Sequence, residues 1–121
     1  MNPSLYARYI KERLGYGIIE EEGGFISFHY PTDKIVYMMD SYVIPEKRNY
    51  FFLKKMAETI CEQAVKDGRI WAMASVDTTA RNADRSAKVL KNWGMKEYKV
   101  VGTMIFYIKP LVDNIENEVV E

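Results

Sequence analysis

The sequence offers almost nothing with which to bind a metal or form a disulfide. Among its 121 residues there is one cysteine, Cys61, and one histidine, His29. A single cysteine excludes a disulfide within the chain, which suits a reducing compartment. A lone histidine with no Cys-x-x-Cys partner argues against a zinc site, so no metal is expected. A surplus of one charge is also missing. The 17 basic and 17 acidic residues cancel, which leaves no electrostatic footprint for nucleic acid or for an acidic membrane surface. No apolar run approaches the ~20 residues that cross a bilayer. The opening MNPSLYARYIKERL contains no apolar signal-peptide core. The expectation is a cytoplasmic protein with no nucleic-acid or membrane partner. Its neutral balance fits an enzyme or a homo-oligomer.

What is present describes one globular domain. Hydrophobic residues make up 48% and charged residues 28% of the chain, enough to bury a single core without staples. No repeat, low-complexity stretch or internal linker interrupts it. The domain is placed at residues 1–112, with an acidic, frayed tail over 113–121.

The periodicities order the elements. SLYARYIKERLG reads as a helix capped by Ser4 and stopped by Gly15. YGIIEEEGGFISFHYPTD reads as two strands folded about Glu22-Gly23-Gly24, where glycine supplies positive φ. KIVYMMDSYVIP is a long, nearly all-apolar strand, expected to be central and covered on both faces. NYFFLKKMAETICEQAVKD carries an apolar stripe of Leu53, Met56, Ala57, Ile60 and Ala64, and is the strongest helix, ended by Gly68. Cys61 lies on its apolar side beside Ala57 and Ala64 and reads as a small core residue. RIWAMASVDTT is a further strand. ADRSAKVLKNW is a second amphipathic helix with Asn82 as N-cap and Gly94 as stop. KEYKVVGTMIFYIKPL supplies two strands about Gly102-Thr103. The strand–helix–strand step over 35–76 implies one parallel pair in an otherwise mostly antiparallel sheet. The fold class is thus a mixed α/β (α+β) sheet with helices on both faces.

Three stretches within residues 16–109 resemble the GNAT family of N-acetyltransferases. GIIEEEGGFISF is similar to that family's second and third strands. MMDSYVIPEKR is similar to its fourth strand and exit, closing on Val-x-Pro-x-x-Arg. RSAKVLKNWGM is similar to its late helix, with Met95 where the family has phenylalanine. The compact length also resembles short acetyltransferase-like proteins encoded by tailed phages. The resemblance implies acetyl-CoA as cofactor. It places the diphosphate on the main chain after the fourth strand, at Arg48, Asn49, Tyr50, Phe51, Phe52 and Leu53. Independently of any family, orphan N–H groups at a helix N-terminus attract anions. The family pattern is Arg/Gln-x-x-Gly-x-Gly/Ala, whereas Phe51 and Leu53 stand here at the two small positions. The resemblance also assigns the acyl and pantetheine arm to Tyr42, Val43 and Ile44, and brings in Asn82 and Ser86 from the late helix.

Acetyl transfer to an amine needs a positioned thioester, a base for the ammonium proton and an acid for the thiolate. The family's acid, a tyrosine four residues before the late-helix glycine, is Leu90 here. Asp40, a carboxylate in an apolar strand whose burial would raise its pKa, is the candidate base. Tyr42 and Tyr107 are candidate acids. Glu20, Glu21 and Glu22 read as a solvated hairpin edge, and His29 as a surface or half-buried strand residue. Arg81, Arg85, Lys88 and Lys91 read as a solvated helix face. Two functions follow. One is an N-acyltransferase acting on a primary amine of a small molecule or protein. The other is a catalytically degenerate fold of the same kind that serves as a binding or structural module. Aromatic content and the final strands TMIFYIKPL favour a homodimer in either case.

Overall fold

The computed structural model describes residues 5–48, 50–113 and 115; of Tyr50 it describes the backbone. Helix α1 (Leu5–Leu14) is followed by strands β1 (Gly17–Glu21), β2 (Gly24–His29) and β3 (Ile35–Val43). A single 3-10 turn, Pro45–Lys47, leads into α2 (Tyr50–Lys66). Then come β4 (Trp71–Asp77), α3 (Ala83–Asn92), β5 (Lys96–Val101) and β6 (Met104–Pro110). This is the order that the periodicities imply. The six strands form one sheet in the order β1-β2-β3-β4-β6-β5, in which β3–β4 is the one parallel neighbour pair.

Both tight hairpins follow from local chemistry. Glu21 pairs with Gly24 and Val101 with Met104, so each turn has two central residues. Gly23 (φ 100°) and Gly102 (φ 60°) supply the left-handed backbone that such turns require. The Ser4 cap lies outside the described residues.

Two apolar layers flank the sheet. On one face, Met56, Ala57, Ile60, Cys61 and Ala64 of α2 pack on Val36, Met38, Ala72, Ala74, Val76 and Tyr107, with Ala87, Leu90 and Trp93 beside them. On the other face, Ile35, Trp71 and Met73 form a smaller cluster with Ile115. Of the tail expected from residue 113, Ile115 is buried in this cluster; Asn114 and residues 116–121 lie outside the described residues. Tyr107, a candidate acid, is almost completely buried in the larger core and is a packing residue.

Strand β3 departs from the expectation of a strand covered on both faces. Its first half is buried at Ile35, Val36 and Met38, but Asp40, Ser41 and Tyr42 are exposed. The cause is topological. β3 pairs with β2 from Tyr37 to Val43, yet with β4 only through Ile35↔Trp71, Val36↔Ala72 and Tyr37↔Met73. Beyond those residues β4 continues along β6, and β3 diverges. The sheet forks.

Candidate functional site

The fork opens into a cavity of about 690 Å³. One wall is β3 from Met38 to Val43; the other is Ala74, Ser75 and Val76 of β4. Helix α2 contributes Leu53, Lys54 and Ala57, and the α3 segment contributes Asn82, Arg85, Ser86, Val89, Leu90 and Trp93. These last six follow a 3–4 spacing, so one face of the α3 segment lies along the cavity. Its first turn is polar and its later turns apolar.

A bulge decides what β3 presents. Ser27 pairs with Asp40 but Phe28 pairs with Met38, so Met39 is an extra residue on β3. An extra residue reverses the alternation of side chains beyond it. Ser41 thus shares the face of its partner Ile26, under the helices. Asp40 and Tyr42 turn to the opposite face with their partners Ser27 and Phe25. Asp40 is accordingly exposed at the cavity rim, so the burial expected of it as a base is not present.

The main chain obeys the same logic. The Ile44 N–H donates to Gly23 O at 2.7 Å, so its polar edge faces β2. In an antiparallel ladder such pairs alternate, which turns Tyr42 toward β2 as well and leaves Ser41 and Val43 facing the fork. Of the three main-chain positions the resemblance suggested, only Val43 faces the gap. Its carbonyl accepts a hydrogen bond from Arg48 Nε at 2.8 Å. Arg48 also lies over the Tyr42 ring, 5.6 Å from its centroid.

Phe51 and Phe52, at the start of α2, do not plug the cavity. Phe51 is 74% exposed. Phe52 packs toward the β1–β2 hairpin, so close to Gly24 that a Cβ there would lie 2.7 Å from its ring. Leu53 alone of these described side chains lines the cavity. Asn49 and the Tyr50 side chain lie outside the described residues. The cavity lining carries three cations, Arg48, Lys54 and Arg85, against one carboxylate, Asp40. Arg85, expected on a solvated face, belongs to this wall. Trp93 lends its ring to the wall, while its Nε1 is buried and makes no hydrogen bond.

Elsewhere, burial pushes the Cys61 thiol up to about 11, which makes it an unreactive core group. His29 is half-buried between Tyr16 (ring centroids 4.9 Å apart) and Tyr37 (5.7 Å), its Nδ1 3.1 Å from Met39 Sδ. Burial lowers its pKa and favours neutral imidazole. At the base of the fork, Tyr37 Oη and Ser75 Oγ lie 2.6 Å apart.

No family model and no curated protein matches this sequence. Solved structures do. A GNAT-family protein from Desulfovibrio desulfuricans aligns over 80% of this chain and 69% of its own, with TM-score 0.70 and 13% identity. PaiA N-acetyltransferase from Thermoplasma acidophilum, in complex with coenzyme A, aligns over 85% and 65%, with TM-score 0.70 and 15% identity. An aminoglycoside 6'-N-acetyltransferase complexed with coenzyme A aligns over 88% and 78%, with TM-score 0.68 and 11% identity. The chain has the fold of GNAT acetyltransferases.

Proposed function

We propose that the protein is an acetyl-CoA-dependent N-acyltransferase that acts on a primary amine. The observation that carries this reading is the open fork between β3 and β4, with three cations in the cavity lining. Two of the structural neighbours described above are complexes with coenzyme A, and both are named as N-acetyltransferases. Fold alone does not establish chemistry, so the residues of the cavity must.

The group fits what the chain presents. Arg48, Lys54 and Arg85 suit a diphosphate, with the α2 N-terminus beside them. The main-chain edges of Ser41 and Val43 suit an amide-bearing arm that continues the sheet as an added strand would. Asn82 and Ser86 supply polar contacts in the α3 wall. When bound, the group supplies an activated acyl thioester. Asp40 and Tyr42 face the opposite side of the sheet, so an amine enters there. Asp40 attracts its ammonium and takes the proton that must leave before attack.

Thermal melting with millimolar acetyl-CoA tests the reading. A ligand at 100 times its Kd adds about 2.7 kcal/mol, which raises Tm by on the order of 10 °C for a domain of this size. A panel of primary amines, followed by thiol release, then tests transfer. No thermal shift would refute the cofactor. A shift without amine-dependent thiol release would favour the binding-module reading, which Leu90 supports by leaving no hydroxyl at the usual acid position.

A further inference from the structure

We propose that Ser75, backed by Tyr37, donates the proton that the leaving sulfur takes up, in place of the hydroxyl that Leu90 does not provide. The inference rests on the acyltransferase reading and adds the identity of its acid.

The position follows from the shape of the fork. Cations and the α2 N-terminus lie at the Val43–Arg48 end of β3, where an anionic head group is held. An arm that runs back along β3 from Val43 ends where the strands rejoin, at Tyr37↔Met73. Met38 to Val43 span about 17 Å of strand, so an arm laid along them from Val43 reaches back toward the point where the strands pair. Ser75 lies on β4 two residues past the last β3–β4 pair and lines the cavity, with Met39 on the facing strand. Ser75 is half-buried, and its Oγ lies 2.6 Å from Tyr37 Oη. Tyr37 is held by ring contacts with His29 at 5.7 Å and Phe106 at 6.1 Å, so its hydroxyl has a defined place.

The other hydroxyls are worse placed. Ser86 sits beside Arg85 in the first turn of α3. Ser41 lies two residues from Val43, under the helices. Tyr42 lies at the head-group end of β3 with Arg48 over its ring. Tyr107 is buried in the core.

The proton balance closes without a co-reactant. As the amine nitrogen bonds to the acyl carbon, the C–S bond breaks and its electron pair leaves with sulfur. Ser75 passes its hydroxyl proton to that sulfur and takes the Tyr37 phenol proton; a phenol is the stronger acid of the two hydroxyl types. The nitrogen sheds two protons, one from the ammonium through Asp40 or water before attack and one to water as the amide forms; one of them restores the phenol and the other is released to solvent. The products are an amide and a thiol.

Two experiments test this, and the first needs no turnover. Ser75→Cys in a Cys61→Ala background is treated with coenzyme A disulfide, and the intact mass is followed. Thiol–disulfide exchange at position 75 releases one coenzyme A and leaves the other attached. The expected result is labelling whose rate saturates with reagent and falls with added acetyl-CoA, while Thr59→Cys, outside the slot, reacts linearly. Absent or unsaturable labelling of a protein that still shows the thermal shift would overturn the placement and leave the cofactor reading standing. Absence of the shift as well would remove both.

The second experiment uses the best amine from the panel. Tyr37→Phe and Ser75→Ala are each expected to lower kcat about 100-fold, the low end for general acid catalysis, with KM for acetyl-CoA within about twofold. The double variant is expected to be no slower than either single variant, because the two hydroxyls act as one unit. Unchanged kcat in either single variant refutes the role.

Discussion

Arg85 separates the two readings of α3 most sharply. As part of a solvated basic face it would be interchangeable with Lys88 and Lys91. As part of the cavity wall it holds an anion that the other two do not reach. A hydrogen bond to a charged group contributes ~1.5–3 kcal/mol, and exposure of Arg85 at the rim argues for the low end. Arg85→Ala should therefore weaken coenzyme A about tenfold. Arg85→Glu adds repulsion to the loss and should weaken it on the order of 100-fold. Lys88→Glu and Lys91→Glu change the net charge equally on the same helix. Screening over a Debye length of about 8 Å at physiological salt should hold their effect below roughly threefold. Calorimetric titration with coenzyme A at 0.15 M and 1 M salt measures all four, and the gap between Arg85 and its neighbours should narrow at high salt. Equal losses at positions 85, 88 and 91 would show that binding responds to diffuse charge, and would refute the wall assignment.

Three further outcomes test the fold around the site. Gly24→Ala places a Cβ 2.7 Å from the Phe52 ring and 2.8 Å from Tyr42 O; it should cost about 1–3 kcal/mol in urea unfolding, as overpacking does. Stability should fall as pH drops below 6.5, because burial lowers the His29 pKa in the folded state and the unfolded chain then binds the proton more readily. His29→Gln should flatten that part of the pH profile of the unfolding midpoint. Cys61, buried with its thiol pushed up to about 11, should resist a thiol reagent at pH 8 until the chain unfolds, and fast labelling in the native state would contradict its place in the core.

The element order was readable because its signals are local. Two-residue turns with glycine marked both hairpins, and the apolar stripe of α2 marked the core face. The fork was not readable from periodicity, because it depends on β4 leaving β3 for β6 after three pairs. Nor was the bulge: Met38-Met39-Asp40 fits either alternation, and only the β2 register assigns Met39 as the extra residue. That one residue reversed two expectations. It brought Asp40 out to the rim, and it turned the main chain of Ser41, rather than that of Tyr42 or Ile44, toward the gap. Arg85 carried a signal that composition hid. Asn82, Arg85, Ser86, Val89, Leu90 and Trp93 share one helical face, which the positive charges on the helix had obscured.

Two tryptophans give the central claim an internal control. Trp93 and Trp71 each have a buried indole N–H without a partner, the first in the cavity wall and the second in the apolar cluster on the opposite face. A two-dimensional nitrogen–proton NMR titration with coenzyme A follows both indoles at once. The Trp93 resonance should move and saturate as ligand fills the cavity beside its ring, while the Trp71 resonance stays in place. Two stationary indoles at millimolar coenzyme A, or equal movement of both, would contradict a binding slot between β3 and β4.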